Sequence, residues 1–325
     1  MTARPAATTT LMSCRTTALI GVVALGLAAA SGAAEAQVPA DIAAKLAAIG
    51  RVIEPENTAK LYVALQEPTP YNFVKITRDV KYGPHARNVL DVFVDDSPFT
   101  GRPVLMFVHG GGFVRGVKSA PNSPFGDNVM VFAARNGMVG VNVEYRLAPE
   151  SPWPAGPEDL GAAVRYVADH VAQFGGDPNK IYLMGQSAGA VHVATYVAHP
   201  EFHGPKGLGL AGAIFASGIY DLGKIDSNEG ERAYYGTDPK LYAERSAFAG
   251  LVKSTLPMMA VAVELNPQMF NDQFAQLKDA VCKTERGCIR TVMVPKHNHT
   301  SVINAINTPD TSLTSQILEF VRTGK

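Results

Sequence analysis

The chain has 325 residues, 46% of them hydrophobic and 18% charged, with 29 basic side chains set against 29 acidic ones. A formal net charge of zero argues against a nucleic-acid surface, which needs a concentrated basic face. Ordinary hydrophobic content argues against disorder, and three cysteines are too few for a disulfide scaffold.

In chain order, the first segment reads as an export signal. Arg4 and Arg15 precede an apolar stretch from about Thr17 to Ala30, and small residues then lead to Ala34-Glu35-Ala36. A charged start, a short apolar run and an A-x-A site describe a secretory leader over residues 1–36, and the run is shorter than the ~20 residues of a membrane span. Removing it takes away two basic and one acidic side chain, leaving 289 residues with a net charge of −1. The expected protein is exported, periplasmic or secreted, without a stable membrane anchor after cleavage. Cys14 leaves with the leader. Cys282 and Cys288 remain, six positions apart, and a local disulfide is preferred over free thiols in an oxidising compartment. A metal site would need two further ligands that the sequence does not place nearby.

Residues 37–70 read as an amphipathic helical cap, and residues 71–325 as one domain. Strand-like runs fall at Phe73–Val80, Val89–Val94, Val104–His109, Met138–Tyr145, Ile181–Gly185, Leu210–Ser217, Met258–Glu264 and Ile289–Val294. The first two alternate apolar with polar residues across a short turn, as an antiparallel hairpin does. The later runs are nearly continuous apolar segments, as in a parallel sheet covered on both faces. Helix-like stretches lie near Asn128–Asn136, Pro157–Phe174, Ala188–Ala198, Phe270–Val281 and Ser312–Val321. The expected fold class is α/β: a mostly parallel eight-stranded sheet flanked by helices, with a small N-terminal cap.

Three loops carry chemistry. Gly185-Gln186-Ser187-Ala188-Gly189 sits between a strand and a helix, the setting in which a serine is held on a tight turn as a nucleophile. His109-Gly110-Gly111-Gly112-Phe113 follows another strand. Its glycines let backbone N–H groups converge, so Gly111 and Gly112, with Ala188 as a third donor, suit an oxyanion hole. No Gly-Lys-Ser/Thr follows, and the glycine spacing is wrong for a dinucleotide. Lys296-His297-Asn298-His299-Thr300-Ser301 follows the last strand, where a general base belongs in this chain order. His299 fits best, and His297 is the runner-up.

Together with Tyr145-Arg146-Leu147-Ala148-Pro149-Glu150 and Gly175-Gly176-Asp177-Pro178, these loops resemble the α/β-hydrolase superfamily. The resemblance is to its HGGG carboxylesterases, of the hormone-sensitive-lipase-like and bacterial feruloyl-esterase-like branches, and it runs from about residue 70 to the C-terminus. It implies a cofactor-free serine esterase that acts on small acyl or aryl esters, with Ser187 as nucleophile and His299 as base. The family's third member is an Asp just before a Pro, and here Asn266 precedes Pro267. Glu264, two residues earlier, is the expected substitute because alternate strand residues share a face. Asp221, after the sixth strand, is the second choice. Two other activities stay open: an arylformamidase or amidase on the same fold, and a catalytically impaired hydrolase-like binding protein, which Asn266 motivates. The insert Leu222–Leu256, with Ala233-Tyr234-Tyr235-Gly236 and Tyr242, is expected to form an aromatic part of the pocket wall. Arg146 and Glu150 are expected to anchor a loop as an ion pair.

Overall fold

In a computed structural model, residues 37–325 are described; the leader expected over residues 1–36 lies outside them. Eight strands form one sheet: β1 (Val74–Lys81), β2 (Val89–Asp95), β3 (Arg102–Val108), β4 (Val139–Val143), β5 (Gly176–Gln186), β6 (Gly212–Ala216), β7 (Met258–Leu265) and β8 (Arg290–Asn298). Their spatial order is β1-β2-β4-β3-β5-β6-β7-β8, with β1/β2 and β2/β4 antiparallel and every other pair parallel. All eight expected strands form, and their ends shift by only a few residues except in β5, which starts earlier at Gly176, and β8, which runs on to Asn298 and takes in Lys296–Asn298, expected on the loop after it.

The helices are α1 (Ala40–Ile49), α2 (Pro55–Tyr62), α3 (Asp127–Arg135), α4 (Ala155–His170), α5 (Ala188–Ala198), α6 (Glu229–Tyr235), α7 (Tyr242–Arg245), α8 (Phe248–Lys253), α9 (Gln268–Cys282), α10 (Ser301–Asn304) and α11 (Thr314–Thr323). The central strands are buried on both faces, so alternate residues feed two separate cores. From β3 and β5, Val104, Met106, Ile181 and Leu183 pack with α4, α5, α8 and α9 through Leu160, Val193, Leu251 and Leu277. Leu105, Phe107, Tyr182 and Met184 face the opposite way, onto α3 and α11 through Met130, Ile317 and Phe320. This burial holds the C-terminal strand ends, and the loops beyond them, as one rigid edge.

The first segment packs as a cap of two helices. Ile42 and Leu46 of α1 and Tyr62 of α2 bury beside Ala305, which follows α10. Gln66 ties the end of the cap down by donating to the carbonyls of Asn304 and Ile306 at 2.7 and 3.0 Å. Cys282 and Cys288 form a disulfide that closes the turn from α9 towards β8. Among the described residues, no helix is long and apolar enough to cross a membrane.

Two local expectations are corrected. Arg146 pairs with Asp159 at 2.8 Å and Glu158 at 3.0 Å, both on α4, and not with Glu150. Tyr234, Tyr235 and Tyr242 of the insert turn inward and are buried with Phe113, Val191 and Phe270. Their aromatic area stabilises the insert from beneath and does not line the pocket.

Candidate active site

Ser187 occupies the turn between β5 and α5 with φ 54° and ψ −124°, a left-handed conformation that is costly for a residue with a side chain. Its neighbours allow the turn. A Cβ on Gly185 would lie 2.3 Å from the Gly189 carbonyl oxygen, and one on Gly189 would lie 2.2 Å from that of Val108. The Ser187 N–H is anchored on the Ala216 carbonyl at 2.9 Å. The serine is thus lifted off the sheet at the N-terminus of α5, where the positive end of the helix dipole favours a developing anion.

The glycine loop runs past the same point. Gly111 has φ 132° and Gly112 φ 60°, and a Cβ on Gly111 would meet the Arg115 carbonyl oxygen at 2.0 Å. Among the described residues, no hydrogen bond occupies the N–H groups of Gly111, Gly112 or Ala188. The loop is held from behind by buried charge. Glu144 accepts from Arg87, from the Lys118 N–H at 2.8 Å, and lies 3.2 Å from His109 Nε2. Burial alone would raise its carboxyl, but hydrogen bonds with His109 and the Lys118 N–H keep it below the usual carboxylate range. The His109 ring stacks on Tyr145 at 4.4 Å, and the Tyr145 hydroxyl donates to the His109 carbonyl.

His299 lies beyond β8, buried, with its ring 4.4 Å from that of Phe270. Its Nδ1 is 3.0 Å from Asn266 Oδ1, and its Nε2 has no protein partner. Burial depresses its pKa to about 4, so the ring is neutral near pH 7 and able to accept a proton. Ser187, His299, Gly110, Gly111, Gly112 and Ala188 all line one cavity of about 660 Å³. Ile53 and Ala59 of the cap, Phe125, Ile303, Ile219 and Phe270 supply apolar wall, and Asn228, Gly230 and Glu231 bring the insert to it.

The expected acid is corrected. Glu264 is exposed, and its carboxylate accepts from the Lys296 N–H at 2.7 Å. Asp221 accepts from the Gly223 N–H at 3.1 Å and from Gln276 at 3.0 Å, so it caps a surface turn. Neither bonds to His299. β7 ends at Leu265 and the chain then turns, with the Asn266 N–H bonded to the Val263 carbonyl, so the alternation that would pair Glu264 with Asn266 stops before the site. Asn266 itself is fully buried, with its Oδ1 turned to His299. His297, the alternative base, is instead held by Ser301 Oγ at 2.9 Å and Asp310 at 3.0 Å, and shapes the loop that carries His299. Three residues to which the motifs gave no role also bear on the site: Ser217 and Asn271, bonded to Asn266, and Gln186 of the serine motif, bonded to the His299 carbonyl. Amides and hydroxyls of this kind carry no sequence signature.

The sheet order, the serine turn and the histidine loop define an α/β-hydrolase fold, and solved structures agree. Esterase B from Lactobacillus rhamnosis, inhibited with a tributyrin phosphonate, superposes with a TM-score of 0.67 at 18% identity, covering 87% of this chain and 94% of that one. Residues 90–204 match the model of the BD-FAE family. Among curated relatives, phenmedipham hydrolase of Pseudarthrobacter oxydans is 41% identical over 108 residues, which is 30% of this chain and 20% of that protein. The esterase LipQ of Mycobacterium tuberculosis is 26% identical over 254 residues, 71% of this chain and 59% of its own length. The chain spans less than a third of the length of the first curated relatives that it matches.

Proposed function

We propose that the protein is a serine carboxylic-ester hydrolase acting on small, uncharged acyl or aryl esters. The observation that carries this reading is Ser187, held at φ 54° in the same cavity as the free Nε2 of His299 and the unoccupied N–H groups of Gly111, Gly112 and Ala188. His299 Nε2 takes the Ser187 Oγ proton as Oγ attacks the ester carbonyl carbon. The carbonyl π electrons move onto oxygen, where the three N–H groups meet the developing charge. The tetrahedral intermediate collapses, the alcohol leaves with the proton from Nε2, and an acyl-Ser187 remains. Water then attacks with its proton passing to Nε2, and the acid departs as Oγ is reprotonated. Asn266 orients the imidazole throughout. The apolar wall and the esterase names among the relatives support an ester without charge next to the reacting carbonyl.

The leader-like residues 1–36 support export to the periplasm or medium, with cleavage before residue 37. The Cys282–Cys288 disulfide fits an oxidising compartment.

The test is turnover of a p-nitrophenyl ester series beside N-formyl and anilide substrates, by wild type and Ser187→Ala, with mass-detected labelling by an alkyl phosphonate. Ester turnover and a phosphonate adduct on Ser187 are expected, both lost in Ser187→Ala. Faster turnover of the anilides or formamides would move the reading to an amidase. No turnover of either class and no adduct would leave a binding protein.

A further inference from the structure

An amide next to a catalytic histidine is ambiguous, since it can present either its oxygen or its NH₂. If NH₂ faces Nδ1, the imidazole must carry its proton on Nε2, where it cannot accept from a serine. In serine proteases that wrong tautomer costs about 10⁴ in kcat. Here the amide is not free to choose. The Val263 carbonyl can only accept, and Asn271 Nδ2 lies 3.2 Å from it. Asn271 Oδ1 therefore points the other way, 3.1 Å from Asn266 Nδ2. Ser217 Oγ offers that same NH₂ a second acceptor at 3.1 Å. With both hydrogens of Asn266 Nδ2 taken, its Oδ1 is the atom left for His299, 3.0 Å from Nδ1. An oxygen that accepts requires Nδ1 to donate, which leaves the lone pair of Nε2 facing the cavity.

We propose that Asn271 and Ser217 are positioning residues that fix the carboxamide of Asn266, and through it the proton on His299 Nδ1, so that the chain works with a Ser–His–Asn triad. Polarity passes from one backbone carbonyl, through two side-chain amides, to the imidazole, whose Nε2 has no protein partner. Of the two positioning groups Asn271 is the stronger director, because a hydroxyl can rotate and donate whereas Asn271 Oδ1 is held in place by Val263. Ser217 is buried, with its Oγ within hydrogen-bond distance of Asn266 Nδ2. The arrangement is also selective against the ordinary acid: an Asp at 266 would set a carboxylate oxygen against Asn271 Oδ1, two acceptors face to face.

The inference rests on the hydrolase reading for its consequence in kcat, but the proton position is measurable without substrate. In ¹⁵N-histidine-labelled protein near pH 7, with the His299 signals identified by their loss in His299→Gln, Nδ1 should be protonated and Nε2 bare. Asn271→Ala should introduce a population protonated on Nε2 and lower kcat at least about tenfold, part of the way towards the loss that the wrong tautomer causes. Adding Asn266→Asp to Asn271→Ala should return Nδ1–H and restore kcat to within about threefold of wild type, because a carboxylate can only accept. A purely structural role for Asn271 predicts lost activity with no tautomer change and no rescue, and that result overturns the proposal. So does wild-type protein protonated on Nε2. Protein with Nδ1–H and the Asn271→Ala shift, yet no ester turnover, would keep the relay and reject the hydrolase reading.

Discussion

Gln186 and His299 are joined directly: Gln186 Nε2 donates to the His299 carbonyl at 2.9 Å. The residue before Ser187 thus holds the loop that carries His299. Its other amide atom lies under the glycine loop, since a Cβ on Gly110 would come within 2.5 Å of Gln186 Oε1. One buried side chain therefore spaces Ser187, the base and the oxyanion donors. Gln186→Ala should lower kcat by about 10- to 100-fold with a smaller change in KM, as expected when reacting groups move by a fraction of an ångström to an ångström. Steady-state kinetics on a p-nitrophenyl ester would check this.

The base has an acid limit that its surroundings set. Burial holds His299 to a pKa of about 4, and its partner Asn266 carries no charge to lift it. The proposed mechanism uses the neutral imidazole, so kcat/KM should stay level from neutrality down to about pH 5 and fall as pH drops through about 4. Asn266→Asp places a negative charge beside the ring, which favours the imidazolium and should move that fall to higher pH. Asn266→Leu leaves Nδ1 without an acceptor and should cost about 10²- to 10⁴-fold in kcat. A profile that does not move in Asn266→Asp would contradict this account.

The two acidic residues first favoured for the triad should be dispensable for catalysis. Glu264→Gln keeps an acceptor for the Lys296 N–H, and Asp221→Asn keeps one for the Gly223 N–H. Each should leave kcat within about twofold of wild type, as for surface changes that touch no reacting group. A tenfold loss in either would return that residue to the site.

Glu144 supports the glycine loop from the buried side. Removing it leaves Arg87 with only the carbonyls of Tyr145 and Gly116 and the Lys118 N–H without its acceptor. Glu144→Ala should destabilise the fold by about 1–3 kcal/mol, the range for leaving a buried donor without its partner. Urea unfolding measures that loss, and kcat should fall as well because His109 and the donors of Gly111 and Gly112 lose their backing. Unchanged stability would mean that the loop is held by its glycine geometry alone.

Much of this was legible in the chain. Continuous apolar runs gave away the parallel strands, and Ser187 and His299 sit in loops whose glycines and chain order carry a geometric meaning. What was not legible followed from local departures. The Glu264 assignment assumed that strand alternation continued to residue 266, whereas β7 stops at Leu265. Arg146 found Asp159 because the helix α4 brings a carboxylate 13 positions away back to the loop, which spacing alone does not reveal. The tyrosines of the insert are amphipathic, and their direction depended on the apolar cluster of Phe113, Val191 and Phe270 that they pack against. Asn271 and Ser217 matter only for the direction of a hydrogen bond, a property with no pattern in a sequence.

The residue after Asn266 gives this amide a chemical lifetime of its own. Asparagine side chains in proteins age to aspartate mainly when the nitrogen of the next residue attacks the amide carbon and closes a cyclic imide. Pro267 provides a ring nitrogen without hydrogen, which cannot close that imide. The carboxamide beside His299 is thereby shielded from the commonest spontaneous route to a carboxylate, and its identity should persist through long storage or service.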